Sequence, residues 1–210
     1  MALDSYPKES QKEQAGFTRL ALFIFMLSAV TGISLPRHQA LAAAGDHGAG
    51  IGFGQILLMG DLAKNFTDNI GFHAIYSFEA SELLGLIANL HYSSHTGANP
   101  TDSLSLKGFV PNLRINFAYI DKLVVYGFTG FGLYMVDQTI GTQVGSVTTL
   151  GFDMGIAVNL TLHKHLQFGT ELSFNNIFGK TDPTTVTDTS TGVSIGGNFI
   201  GLFLNVTYIF

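Results

Sequence analysis

The sequence predicts an all-β fold, an eight-stranded antiparallel up-and-down transmembrane β-barrel behind an export signal. Three observations predict it. Charged residues make up only 12 % of the chain, about half the share usual in soluble domains, so much of the surface must meet something other than water. Beyond residue 45 there is no uninterrupted apolar stretch of the length a spanning helix needs. A closed barrel is the remaining way to carry apolar surface into a bilayer without unpaired backbone. The third observation is alternation, clearest in the last stretch, SIGGNFIGLFLNVTYIF. There Ile200, Leu202, Leu204, Val206, Tyr208 and Phe210 share one face of a strand, and Phe199, Gly201, Phe203, Asn205 and Thr207 the other. An apolar face ending in aromatics, backed by a partly polar one, fits lipid outside and a packed lumen inside.

Residues 1–42 read as a secretory signal peptide. A polar start with Lys8, Lys12 and Arg19 leads into the apolar run LALFIFMLSAVTGISL, Pro36 ends the run, and Ala40-Leu41-Ala42 offers a small-x-small cleavage site after Ala42. Residues 43–210 form the expected barrel domain. The chain contains no cysteine, which excludes a disulfide framework and thiolate metal sites. The net charge of −5 leaves no basic footprint for nucleic acid.

From Gly48 onward eight runs alternate, separated by turn residues. The first, residues 50–59, is glycine-rich and its phase is open. In the second, Ile70, Phe72, Ala74, Tyr76 and Phe78 face outward, with His73 and Ser77 inward. The third has Leu84, Leu86, Ala88, Leu90 and Tyr92 outward, with Asn89, His91 and Ser93 inward. In the fourth, Phe109, Pro111, Leu113, Ile115, Phe117 and Tyr119 alternate with Asn112, Arg114 and Asn116. Leu104 and Leu106 are out of phase with these, which predicts a bulge near Lys107-Gly108. For the fifth, placing aromatics toward lipid puts Tyr126, Phe128 and Tyr134 outward and Phe131 and Leu133 inside. The sixth sets Leu150, Phe152, Met154, Ile156, Val158 and Leu160 against Gly151, Asp153, Gly155, Ala157 and Asn159. The seventh sets Leu166, Phe168, Thr170, Leu172 and Phe174 against Gln167, Glu171, Ser173 and Asn175.

Connectors alternate in length. Residues 79–83, 121–122 and 163–165 are short; residues 60–68, 96–103, 137–146 and 178–192 are longer and rich in Gly, Thr and Asp. Short periplasmic turns and longer outer loops are the pattern of outer-membrane barrels. Aromatics sort by height into two girdles. Phe78, Tyr119, Tyr126, Phe168, Tyr208 and Phe210 lie toward the short turns, and Tyr92, Phe109, Tyr134 and Phe174 toward the long loops.

With its terminal LNVTYIF, the stretch YGFTGFGLYM and the stretch LGFDMGIAVNLTLHKHLQFGTELSFNNIF, the sequence resembles the small outer-membrane barrels: the OmpA transmembrane domain, OmpX-like proteins and the outer membrane protein beta-barrel domain group. The resemblance covers about residues 48–210 and specifies architecture more than function. It implies a bacterial outer-membrane location in a Gram-negative cell envelope. It also implies contact with outer-membrane lipids and lipopolysaccharide, and export through periplasmic chaperones and the barrel-assembly machinery. Phe210 and Tyr208 would then serve as both assembly signal and girdle. A monomer is expected.

An eight-stranded barrel is just wide enough for side chains to fill, so no large pore is expected. Arg114, Asp153 and Glu171 face inward from strands four, six and seven and are expected to meet in an ion-pair network, structural or gating. His91-Tyr92-Ser93 resembles the His-x-Ser of PagL-type lipid A deacylases, but lies on strand three facing inward. His163-Lys164-His165 lacks a third metal ligand and reads as a solvated turn. The expectation is therefore a structural or surface-interaction protein with no catalytic residues, cofactor or metal. The alternatives are a narrow ion or hydrophobic-solute channel, as in OmpW-like proteins, and a lipid A-modifying enzyme.

Overall fold

The computed structural model describes residues 44–97, 99–181 and 194–210. The expected signal peptide and most of the loop at 178–192 lie outside the described residues. Eight antiparallel strands close into a barrel in sequence order. They are β1 (His47–Met59), β2 (Asn69–Glu79), β3 (Leu84–Thr96), β4 (Ser103–Ile120), β5 (Leu123–Ile140), β6 (Gln143–His163), β7 (Leu166–Thr181) and β8 (Ser194–Ile209). One short helix, α1 (Asp61–Asn65), follows β1. The seam joins β8 to β1, with Ile51 opposite Val206 and Phe53 opposite Leu204. At its end the Phe210 N–H donates to the His47 carbonyl over 2.9 Å and the His47 N–H to the Phe210 carbonyl over 3.3 Å. The rim holding this pair and the short turns is called the near rim, the opposite one the far rim.

Alternation divides outside from inside as the hydrophobic pattern requires. Ile51, Phe72, Leu90, Leu150, Ile156, Leu204, Tyr208 and Phe210 are exposed on the outer wall. Asn89, Asn112, Asp153, Asn175 and Asn205 are buried inside. The glycines of β1 settle its phase. Gly48, Gly50, Gly52 and Gly54 face inward, where a Cβ on any of them would strike Ser77, Thr207, Asn205 or the Leu202 carbonyl.

Four expectations are corrected. In β5 the phase is the reverse of that expected: Tyr126, Phe128 and Tyr134 point inward and are buried, whereas Phe131 and Leu133 are exposed. Space for the rings comes from glycines on the flanking strands. A Cβ on Gly108 or Gly151 would sit 2.8 or 2.5 Å from the Tyr134 ring, and one on Gly155 2.4 Å from Phe128. Tyr126 and Tyr134 therefore leave the girdles, and so does Tyr119, which lies opposite the buried Val124 and packs against the inner cluster. Second, β4 runs without interruption past Lys107-Gly108, which face Met135 and Tyr134, and its irregularity falls between Asn116 and Ala118. Leu104 and Leu106 are in phase with Asn112 and simply face an apolar part of the lumen. Third, residues 137–146 are no long loop. The β5 and β6 strands continue through them to Ile140 opposite Gln143, leaving a turn at Gly141-Thr142. Fourth, Glu79 belongs to β2, not to a turn, and its side chain is buried.

The far rim is fastened loop to loop. Gly60, with φ of 62°, starts α1, and Leu62 on α1 covers Gly197 so closely that a Cβ there would be 2.7 Å from the leucine. Thr67 N–H donates to the Thr96 carbonyl over 2.9 Å, and Leu58 N–H to Asp68 Oδ1 over 2.9 Å. Asp102 accepts from the Gly141 N–H at 2.7 Å and from Asn99 Nδ2 at 2.9 Å. These donors, the Gly141 amide first, hold the Asp102 carboxyl below the ordinary carboxylate value of 3.8. A depressed folded-state value means the clasp is fully formed above 3.8 and is lost as pH falls through the lower folded value. The Gly141 amide proton resonance should accordingly titrate with a midpoint below 3.8; a midpoint at or above it would mean that the carboxylate does not bind that amide.

Candidate functional site in the lumen

The lumen has three layers. Toward the far rim it is apolar. Ile56, Leu104, Val110, Tyr134, Ile195 and Phe199 are almost wholly buried there, joined by Leu62 and Phe66 from α1 and its end. The Tyr134 and Phe199 rings meet edge to face at 6.4 Å, and the Tyr134 hydroxyl donates to Asn175 Oδ1 over 2.6 Å. Burial of this kind follows from the same force that packs a soluble core.

The middle layer is polar. His73 on β2 bonds Asn205 on β8 at 2.6 Å and stacks on Phe203 with ring centroids 4.2 Å apart, marking the border with the apolar layer. Asn112 Nδ2 donates to Asp153 Oδ2 over 3.1 Å. Glu171 lies 3.9 Å from His73 Nδ1, beyond hydrogen-bond reach. Several buried atoms here have no hydrogen-bond partner, among them both ring nitrogens of His91, both amide atoms of Asn89, Asp153 Oδ1 and Glu171 Oε1.

The near-rim layer is built on Arg114. Its guanidinium is ion-paired with Glu79, Nε donates to Asn116 Oδ1 over 2.7 Å, and Cζ lies 4.0 Å from the centroid of the Tyr126 ring. Asn116 Nδ2 reaches the Glu82 carbonyl at 3.0 Å and Tyr119 Oη at 2.7 Å. The Tyr119 hydroxyl donates to the same Glu82 carbonyl. Asn116 N–H donates to the Leu83 carbonyl over 2.8 Å, tying β4 to the β2–β3 turn.

Arg114, Asp153 and Glu171 are thus all buried inside, but they do not form one network. The carboxylate that Arg114 meets is Glu79. Among the described residues Asp153 and Glu171 form no ion pair with lysine or arginine. Glu79 was missed because, at a strand end beside Ala80-Ser81-Glu82, it reads as turn. The signal that could have found it is charge balance, since a lone inward arginine requires an acid at its own level. His91 and Ser93 face inward as expected, but Ser93 Oγ pairs with His95 Nε2 at 2.9 Å, and His95 Nδ1 meets the Thr67 carbonyl at 2.9 Å. The carbonyl can only accept, so Nδ1–H donates to it, and in the neutral ring Nε2 accepts from the serine hydroxyl. Both residues are shut away, at 1 % and 0 % exposure. His165 spends Nδ1 on the Ile209 carbonyl at 2.8 Å, and among the described residues no three His, Asp or Glu side chains converge on a metal position. Tyr208 and Phe210 are exposed on the outer wall and stack at 6.5 Å beside His47 and His165.

A closed barrel with an apolar outer wall and a filled lumen defines an integral outer-membrane protein. The family model of the outer membrane protein beta-barrel domain matches residues 25–199, and the chain belongs to that family. It resides in the bacterial outer membrane. No curated protein matches it in sequence. Solved barrels similar to it include OprG from Pseudomonas aeruginosa, with a TM-score of 0.55 at 12 % identity over 82 % of this chain and 99 % of that one. Neisserial surface protein A gives 0.52 at 12 % identity over 80 % and 98 %. Ail, the attachment invasion locus protein of Yersinia pestis, in complex with the heparin analogue sucrose octasulfate, gives 0.51 at 16 % identity over 80 % and 99 %. These likenesses are of fold.

Proposed function

We propose that this outer-membrane barrel has a structural or surface-interaction role, with neither an open pore nor catalytic activity. One observation carries the reading. The lumen is closed twice, by the apolar layer around Tyr134 and Phe199 and by the Arg114–Glu79 layer. The sealed Ser93–His95 pair supports no access for a lipid A substrate. The far rim supports contact with neutral surfaces rather than polyanions. Among the described residues its cations are already paired, Lys64 with Asp61 and Lys107 with Asp137. That differs from a site for a polysulfated molecule such as the one bound by Ail.

The partnerless polar atoms of the middle layer favour a second reading, a narrow channel whose ion pairs exchange to admit ions. Planar-bilayer recording of the purified barrel separates the two. The proposal expects no current above the bare bilayer from protein whose folding is confirmed by a shift between unheated and boiled samples on SDS gels. Discrete conductance steps from the same protein would replace it with the channel.

A further inference from the structure

The outer wall is not evenly covered. A furrow of about 560 Å³ runs over β4–β8, floored by Thr129 and walled by Ile115, Met154, Ile156 and the Phe117 ring, which lies over the buried Gly127. It exists because β5 presents a short side chain at Thr129 while both neighbouring strands present long ones, and because the missing side chain at Gly127 lets the Phe117 ring lie against the backbone there. Ile115, Gly127 and Ile156 lie in one row across the sheet, with Leu172 beyond. Below its near-rim end stand two turns with exposed cations, Lys122 in one and His163-Lys164 in the other. The Lys122 turn is fastened to the end of β6, for Thr161 N–H donates to the Lys122 carbonyl over 2.8 Å. Asp121 shares the turn of Lys122, and Glu82 is the acid of the adjoining β2–β3 turn.

We propose that this furrow and its basic rim form a binding site for one anionic phospholipid of the periplasmic leaflet. An acyl chain lies along Thr129 and the Phe117 ring, and the phosphodiester sits between Lys122 and Lys164. Three arguments converge on that occupant. The furrow is continuous with the lipid-facing wall, so its filler is a lipid chain. The short-turn rim of such barrels faces the periplasm, which places phospholipid rather than lipopolysaccharide against it. The two turns carry Lys122 and Lys164 against Asp121, a net positive charge opposite in sign to a phosphodiester, and at the headgroup level each lysine adds attraction to an anionic lipid. A second furrow of about 520 Å³, over Ala88 and Pro111, ends at His47 and Tyr76. Its nearest turn, residues 80–83, carries Glu82 and no lysine, so the same argument does not extend to it.

Native mass spectrometry of the barrel released from nanodiscs containing phosphatidylglycerol and phosphatidylethanolamine tests this. The wild type should keep a single phosphatidylglycerol adduct after annular lipid is stripped. Thr129→Phe, which fills the furrow from an exposed position, should lose the adduct. Lys122→Gln with Lys164→Gln, on exposed turns remote from the barrel interior, should abolish the preference for phosphatidylglycerol. Any of three results overturns the site: undiminished retention by Thr129→Phe, no headgroup preference in the wild type, or a preference untouched by loss of both lysines. In nanodiscs that also contain lipid A, retention of lipid A in place of phospholipid would overturn it as well, by putting the furrow in the other leaflet.

Discussion

Arg114→Ala is expected to cost about 3–5 kcal/mol, because it leaves Glu79 buried and unpaired rather than because the ion pair itself is strong. With a urea slope of about 2 kcal/mol/M, the unfolding midpoint of the lipid-refolded barrel should fall by roughly 2 M. The Tyr126 face and Asn116 Oδ1 lose their partner in the same step. A companion variant identifies the cause. Arg114→Met combined with Glu79→Leu removes both charges and should recover most of the loss, since well-packed apolar residues commonly replace a buried pair without penalty. An unchanged midpoint in Arg114→Ala would show that water or another group satisfies Glu79. A double variant as weak as the single one would show that the loss is packing, not charge.

Tyr134→Ala should be the most damaging truncation in the apolar layer, at about 3–5 kcal/mol for a buried large aromatic. Its ring touches Phe199, fills the space over Gly108 and Gly151, and its hydroxyl anchors Asn175. Tyr134→Phe separates these roles. It keeps the ring and gives up one buried hydrogen bond, for about 1 kcal/mol, so the two midpoints should differ by several-fold in their displacement from wild type. Equal displacements would mean that the hydroxyl, not the ring, holds the layer.

How far the barrel was legible depended on what each face met. Lipid tolerates only apolar side chains, so β6 and β8 could be read directly from Leu150 to Leu160 and from Ile200 to Phe210. The lumen imposes no such uniform chemistry. Its far half is as apolar as the membrane, and for that reason Leu104 and Leu106 imitated a change of phase. The β5 strand was misread because aromatics were assigned to lipid as a class. The informative residues lay on other strands: Gly108, Gly151 and Gly155 mark places where a ring must cross inside the wall. Of the inward charges, Arg114, Asp153 and Glu171 were visible from alternation alone. Which acid the arginine meets was not, because pairing across a lumen depends on strand stagger, and the register was not available from one chain's pattern.

The inward glycines of β1 have one more consequence. A Cβ on Gly52 would lie 2.1 Å from both Asn205 Oδ1 and His73 Nε2, which means that these two atoms meet directly above it. They belong to β2 and β8, strands that do not pair with each other, and are separated by 132 residues of chain. The bond therefore passes over β1, from its neighbour on one side to its neighbour on the other. It can exist only when β1 already lies between β2 and β8 in correct register, so it joins the two ends of the sheet as a clasp rather than as a rung. A chain that had laid down every other ladder but left the cylinder open would lack this contact together with the whole β1–β8 ladder.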